Sequence, residues 1–188
     1  MKKSKNTIAA FSAWTISGVV AVTYLCANTL GLRINASSSA PTGLWRISKI
    51  EPSEVRKGMI VSVCAPAVGI VSKMRNSFFL AAGDCELTKT EPLLKPIAAV
   101  AGDEVVLRAG QPVLVNGISI PNSKARKSMP AWTEGTYRVP PGQVWLISSF
   151  NKNSFDSRYF GAVPVENIRG QASPIWIKGN FRALTEGQ

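Results

Sequence analysis

Histidine is absent from the 188 residues of this chain. Imidazole is the commonest general base and metal ligand in proteins, so its absence excludes Ser-His-Asp and Cys-His nucleophile systems and the HExxH zinc proteases. Any hydrolytic site must therefore use another base. No group of residues has the spacing of a metal site or of a cofactor motif, and we expect neither a metal nor a cofactor.

Acidic residues are scarce, because 11 Asp and Glu stand against 22 Lys and Arg, which gives a formal net charge of +11. Such an excess indicates an anionic partner, either anionic lipid or nucleic acid. The sequence has neither a helix-turn-helix pattern nor a basic motif interleaved with aromatic residues. We therefore expect contact with membrane lipid and no nucleic-acid partner.

Charged residues are missing altogether from residues 8–32. This apolar run exceeds the roughly 20 residues that a helix needs to cross a bilayer. Lys2, Lys3 and Lys5 precede it and only Arg33 follows directly, a bias that keeps the N-terminus in the cytoplasm. We predict a single-pass membrane anchor over residues 1–33 with the following domain on the other side of the membrane. A cleavable signal peptide is the alternative.

Cysteine occurs three times, once in the apolar run, as Cys26, and twice beyond it, as Cys64 and Cys85. An oxidising compartment favours a disulfide between the last two over a metal pair, which would have closer spacing and more ligands. Two unpaired buried thiols remain the alternative.

Long stretches with helical periodicity are absent beyond Arg33, where apolar runs are short and bounded by Gly, Pro and polar residues. This pattern predicts a mainly β domain over residues 34–178, with irregular insertions at 65–92 and 121–135 and a flexible tail at 179–188. Asn116-Gly117 between two β-branched runs predicts a hairpin. Strands are predicted at 44–47, 59–63, 93–100, 104–107, 113–115, 118–120, 144–148 and 175–177.

Three stretches contain residues that could carry chemistry, and each also has an ordinary structural interpretation. The serines before Pro41 and Gly43 are typical of a linker or turn. Lys95, in an apolar run, lies either on a solvated strand face or in a desolvated position where its amine could act as a base. Residues 154–161 could form a solvated turn with a weak Asp156–Arg158 pair.

Together these stretches resemble the type I signal peptidase family, most closely its TraF-type branch, the conjugative-transfer peptidases that mature pilin precursors. The resemblance runs from the apolar segment to about Trp176. It implies a signal-peptidase-like antiparallel β catalytic domain behind a transmembrane helix. It rests on blocks that occur in the family's order: Asn35 to Trp45, Lys57 to Val61, the Lys95 block, Val115-Asn116-Gly117, Pro141-Gly142 and Ser154 to Gly161.

The resemblance also implies a role for each matching residue. Ser39 would be the nucleophile and Lys95 the general base of a Ser-Lys dyad. Ser37 would join the Ser39 backbone N–H in the oxyanion hole. Ser154 would orient the lysine amine. Asp156 and Arg158 would brace the site, although Asp156 could also take part more directly.

The implied substrate is an exported precursor protein, most simply a pro-pilin, bound as an extended strand. Either water or a substrate amine could resolve the acyl-enzyme, and the sequence leaves hydrolysis and cyclisation open. A non-catalytic, membrane-anchored subunit of a pilus or secretion assembly is the alternative function. The presence of both Ser39 and Lys95 argues against it.

The sequence departs from the family next to the lysine. Pro96 follows Lys95 where most relatives have a basic residue, and Ala99 and Ala101 replace a Gly and a Pro. Proline lacks a backbone donor, so we expect this strand to lie at a sheet edge, or the Pro96 nitrogen to face away from any ladder.

Overall fold

The structure is a computed structural model that describes residues 14–23, 25, 27 and 29–178. Residues 14–23 are helical. In these ranges no helix is long and apolar enough to cross a membrane. Part of the predicted span at 8–32, together with Cys26, lies outside the described residues, as does the predicted tail at 179–188.

In the part of the chain that the structure describes, eleven strands form two antiparallel sheets. The larger sheet has seven strands in the order β1-β2-β11-β3-β4-β9-β10, and the smaller has four in the order β7-β6-β5-β8. The chain is therefore mainly β, as predicted. The strands are β1 Leu32–Asn35, β2 Gly43–Ser48, β3 Ile60–Val63, β4 Leu93–Ala99, β5 Glu104–Leu107, β6 Leu114–Val115, β7 Ile118–Ser119, β8 Gly135–Arg138, β9 Gln143–Leu146, β10 Val163–Pro164 and β11 Ile168–Ile177.

Two α-helices follow the N-terminal helical segment, α1 at Gly69–Asn76 and α2 at Ser157–Phe160, and short 3-10 turns occupy Pro52–Glu54 and Val165–Asn167. Helix α1 lies in the stretch 65–92, which we predicted to be irregular. Only Val71 of α1 is buried, so the segment has no apolar stripe long enough to indicate a helix. Helix α2 is a single turn, too short to show a period.

Strand β9 lies between two parts of the core because its side chains alternate between the faces of the sheet. Val144 and Leu146 pack in a cluster with both helices, whereas Trp145 and Ile147 pack against the smaller sheet. Strand β4 is arranged in the same way, and its last five residues are all buried. Lys95 lies two residues before Ile97, so it shares the face that packs against the helices.

The predicted hairpin is confirmed at Asn116-Gly117, which joins β6 and β7. Both residues have a positive φ, 50° and 80°, as such a turn requires. The strands predicted from alternating or apolar runs are all present within a few residues. The structure adds β1, β8, β10 and the first half of β11, where exposed or polar residues interrupt the apolar pattern.

Of the two arrangements expected for Pro96, a strand at the sheet edge or a nitrogen that faces away from any ladder, the structure has the second. Strand β4 is interior, between β3 and β9. The Ile97 N–H donates at 2.8 Å to the carbonyl of Met59, the residue directly before β3, and successive residues of a strand point their donors in opposite directions. The Pro96 nitrogen therefore faces the other side, where pairing with β9 begins only at Ile97.

The predicted disulfide between Cys64 and Cys85 is confirmed. It connects the end of β3 to the loop that follows α1. In this loop Phe79 packs edge-on against Phe155, with ring centroids 6.0 Å apart. The disulfide therefore fixes a segment that supports residue 155, next to the predicted site residue Ser154.

Candidate active site

The serines predicted to include the nucleophile lie in a loop between β1 and β2, residues 36–42, here called the serine loop. Asn35, the last residue of β1, holds this loop with one side-chain amide. Its Nδ2 donates to three backbone carbonyls, those of Ser37 at 2.9 Å, Ala40 at 3.1 Å and Pro41 at 3.0 Å. The loop is therefore shaped by a fixed turn rather than by a flexible linker.

The three serines of the loop differ in their surroundings. Ser39 is half-buried, whereas Ser37 and Ser38 are exposed. The Ser37 hydroxyl donates to Asn35 Oδ1 at 3.1 Å, and Asn151 Nδ2 donates to Ser38 Oγ. Only Ser39 thus combines partial burial with a hydroxyl that makes no hydrogen bond within the described residues.

Lys95 is buried, with only 3% of its surface exposed. Its Nζ donates to Ser154 Oγ at 2.8 Å. The pKa of Lys95 is lowered from 10.5 to about 8, mainly because burial disfavours the charged amine. The positive charge of Arg158 lowers the pKa further, whereas the negative charge of Asp156 raises it. Of the two interpretations left open for this lysine, the structure supports the desolvated one.

Asp156 and Arg158 form a buried bidentate ion pair, not a solvated surface pair. Arg158 Nε donates to Asp156 Oδ1 and Nη2 to Oδ2, both at 2.7 Å. Arg158 Nη2 also donates to the Ser154 carbonyl at 2.9 Å. Asp156 is in addition the N-cap of α2, where its carboxylate accepts from the Arg158 backbone N–H. This pair fixes the backbone that presents Ser154 to Lys95.

Ser148 is a residue of the site that the sequence analysis did not identify. It follows β9 and is fully buried. Its hydroxyl donates to the Ser39 backbone carbonyl at 2.6 Å, while its backbone N–H donates to Asp156 Oδ2 at 3.1 Å. Ser148 therefore connects the serine loop to the ion pair. It belongs to no motif, and its polar side chain at the end of an apolar strand was the only available signal.

The structure brings most of the predicted site residues together. Lys95, Ser154, Asp156 and Arg158 form one continuous hydrogen-bonded and ionic group, to which Ser39 is joined through its carbonyl and Ser148. Within the described part of the chain, no hydrogen bond joins Ser39 Oγ to Lys95 Nζ. Ser37 lies in the same loop but bonds to Asn35.

Metal coordination has no candidate among the described residues, where no group of three Cys, Asp or Glu side chains could hold an ion. The arrangement offers instead a buried amine with a lowered pKa, connected to the half-buried Ser39 through a network that includes Ser148. These two groups are the components of a base and a nucleophile that work without imidazole.

Comparison with known families agrees with this chemistry. The profile of the family described as "Signal peptidase, peptidase S26" matches residues 4–177. The chain therefore belongs to the S26 family of signal peptidases.

Among its relatives, a probable conjugal transfer protein TraF from Sinorhizobium fredii is 38% identical over 152 residues, which cover 77% of each chain. The conjugal transfer protein TraF of Agrobacterium fabrum is 34% identical, over 78% of this chain and 82% of its own. The predicted resemblance to the TraF-type branch is thus confirmed. A crystal structure of a signal peptidase I from Enterococcus faecalis matches 66% of this chain and 98% of its own, with 16% identity and a TM-score of 0.37.

The lowered pKa of Lys95 makes stability depend on pH. Between about pH 8 and 10.5 the unfolded chain binds the lysine proton more tightly than the folded chain does, so stability rises with pH in this window. A change of 10.5 to about 8 corresponds to about 3 kcal/mol. We expect Lys95→Met to remove this rise, as measured by urea unfolding at several pH values.

Lys49→Met, at an exposed lysine, is the matched control and should keep the wild-type slope. Equal slopes for the wild type and Lys95→Met would show that Lys95 has an ordinary pKa in the folded protein.

Proposed function

We propose that this chain is a membrane-anchored serine endopeptidase that processes an exported precursor with Ser39 as nucleophile and Lys95 as general base. One observation carries the proposal. Lys95 is the one buried lysine among the described residues, its pKa is lowered to about 8, and its amine donates to Ser154 Oγ. Membership of a signal peptidase family supplies the reaction class.

The reaction begins when the neutral Lys95 amine accepts the proton of Ser39 Oγ. The oxygen attacks the carbonyl carbon of the scissile bond, and the resulting oxyanion accepts hydrogen bonds from the Ser39 backbone N–H and the Ser37 hydroxyl. The C–N bond then breaks, and Lys95 returns the proton to the leaving amine. Water or a second amine attacks the acyl-enzyme in the reverse sequence, which releases Ser39.

Two contacts must change when substrate binds. The Ser37 hydroxyl must turn from Asn35 Oδ1 towards the oxyanion, and Ser39 Oγ must approach Lys95 Nζ. Catalytic hydrogen bonds are often long in a free enzyme and tighten only in the substrate complex. Asn35 and Ser148 hold the backbone of the serine loop while these side chains move.

The substrate would lie as an extended strand beside Lys95. On the side of β4 opposite β3, pairing with β9 begins at Ile97, and among the described residues no strand pairs with β4 before that point, which is where we place the peptide. Relatives named as conjugal transfer proteins favour a pilin precursor as the substrate. The nucleophile that resolves the acyl-enzyme would decide between a linear and a cyclic product.

The uncharged run at residues 8–32 and its lysine flank support an inner-membrane anchor with the β domain in the periplasm. A reporter enzyme fused after Gln188 should therefore be active outside the cytoplasm, and sequencing of the mature protein should find Met1 or Lys2. A mature N-terminus beyond Ala27 would mean that the segment is removed.

Ser39→Ala and Lys95→Arg should each lower kcat for precursor processing by roughly a thousandfold or more while the domain stays folded. Arginine keeps the positive charge but cannot release its proton at working pH, so the second change tests the base directly. Wild-type activity should rise as pH increases through about 8, because only the deprotonated amine can act. A processing assay on purified precursor measures both effects.

Ser38→Ala is the matched control and should retain activity. Processing by Lys95→Arg would exclude the Ser39–Lys95 dyad and would favour the alternative function, a non-catalytic assembly subunit. Loss of activity in Ser37→Ala or Ser38→Ala, with activity retained in Ser39→Ala, would identify a different serine as the nucleophile.

Ser148→Ala should lower kcat about fivefold with little change in KM, since it removes a hydrogen bond worth about 1 kcal/mol that positions the Ser39 carbonyl. The pH limb near 8 should stay where it is, because Ser148 acts on the serine loop and not on the base. Ser149→Ala, at the half-buried neighbouring position, is the control. A shifted pH limb or an unchanged kcat would contradict this positioning role.

A further inference from the structure

A cavity of about 620 Å³ opens beside the segment 121–135, and no residue of the serine loop lines it. It lies between this segment and the end of β5, and we call it the basic pocket. Its volume is in the range typical of ligand sites. Neither Ser39 nor Lys95 lines it, so the proposed peptidase reaction does not account for it.

The walls of the basic pocket are held in place although the segment 121–135 contains no helix or strand before Gly135. Ser123 Oγ accepts from the Val113 N–H at 2.8 Å and donates to the Ile120 carbonyl at 2.6 Å. The Arg126 N–H donates to the Tyr159 hydroxyl at 2.9 Å. These contacts indicate a pocket that is formed before a ligand arrives.

Positive charge dominates the rim of the pocket. Arg108, Lys124 and Lys127 are exposed and Arg126 is half-buried, while Glu134 is the one acidic residue of the lining. None of these four cations forms an ion pair with a residue that the structure describes. Four unpaired like charges around a concave surface concentrate a positive potential that attracts anions.

The inner walls are apolar and contain Leu107, Met129 and Trp132. The backbone N–H of Trp132 donates to the Arg158 carbonyl at 2.7 Å. The indole ring of Trp132 lies directly against Gly161, where an added Cβ would be 2.7 Å from the ring. Gly161 therefore covers one face of the indole, and the packed ring forms part of the pocket wall. The pocket thus offers an apolar interior inside a cationic rim.

Arg158 joins this pocket to the candidate active site. Arg158 is one of the lining residues, and its guanidinium donates through Nη1 to the carbonyls of Asn122 at 2.9 Å and Lys124 at 3.3 Å. Through Nη2 it donates to the carbonyl of Ser154, whose hydroxyl accepts from Lys95. The basic pocket is therefore connected to Lys95 through Arg158 and Ser154, and a polypeptide bound beside Lys95 could extend into it.

We propose that the basic pocket binds an acidic peptide segment of the precursor, with an apolar side chain inside and carboxylates at Lys124 and Lys127. This proposal rests on the proposed peptidase function for its choice of ligand. A bilayer surface is flat on this scale and would contact the rim while leaving the apolar interior unfilled. Single-stranded nucleic acid binds through open aromatic faces, and the Trp132 ring is partly covered.

The test measures binding by fluorescence anisotropy, with the full chain in a zwitterionic detergent and a short fluorescein-labelled peptide of alternating Glu and Leu. Lys124→Glu/Lys127→Glu should weaken binding about tenfold. The substitution leaves the Lys124 carbonyl bonded to Arg158. Lys49→Glu/Lys73→Glu makes the same change in net charge at exposed positions outside the lining and should leave binding within about twofold of the wild type.

Equal weakening in both double variants would overturn the proposal, because the net charge of the protein alone would then explain the binding. It would also be overturned if the pocket variant kept its peptide affinity but lost binding to vesicles of anionic phospholipid or to single-stranded DNA. A Glu-Ser peptide of the same charge should bind more weakly than the Glu-Leu peptide. Equal affinities would refute the apolar interior.

The peptidase proposal and the pocket proposal fail separately. The binding assay is carried out on Ser39→Ala as well as on the wild type, so its outcome does not depend on turnover. With processing intact, the pocket variant should raise KM for a precursor that carries an acidic segment and leave kcat unchanged. A lowered kcat with unchanged KM would mean that these lysines act on the reaction and not on substrate binding.

Discussion

Burial of a lysine amine is the constraint on which the candidate site depends. An ammonium removed from water costs several kcal/mol unless it is paired or loses its proton. Here the amine of Lys95 donates to a neutral hydroxyl, Ser154 Oγ. The carboxylate of Asp156 is paired with Arg158 instead, which donates to both of its oxygens. The outcome is a lysine whose pKa lies near 8, which allows it to act as a base in a chain without histidine.

The rest of the site can be understood as support for this arrangement. The Asp156–Arg158 pair caps α2 and fixes the Ser154 carbonyl, and Ser148 extends the same network to the carbonyl of Ser39. The disulfide between Cys64 and Cys85 anchors the loop that packs Phe79 against Phe155. A change at Ser148 or at the disulfide would act on the serine or the lysine through geometry, whereas a change at Asp156 or Arg158 would also alter the pKa of Lys95 through its charge.

Local patterns predicted much of the fold. Asn116-Gly117 specified its hairpin, and apolar runs located the interior strands, including β4 with its lysine. Strands such as β1 and β8 were missed because their side chains are largely exposed, and their pairing depends on neighbours distant in the sequence. The burial of Lys95 could not be read from its position alone, because a strand lysine is usually solvated.

Residue motifs located Lys95, Ser154, Asp156 and Arg158, which the fold brings together as expected. They did not indicate Ser148, since its partner Ser39 is 109 positions away and the contact is made to a backbone carbonyl. The basic pocket was likewise invisible, because its cations come from two segments that only the tertiary fold joins.

The most direct test of the account is an NMR titration of the Lys95 side chain in protein labelled with ¹³C and ¹⁵N at lysine, with Lys95→Met used to assign the signal. We expect a titration midpoint near pH 8 for Lys95 in the folded protein. A midpoint at the ordinary value of about 10.4 would contradict it, because the amine would then be protonated wherever the proposed reaction needs it neutral.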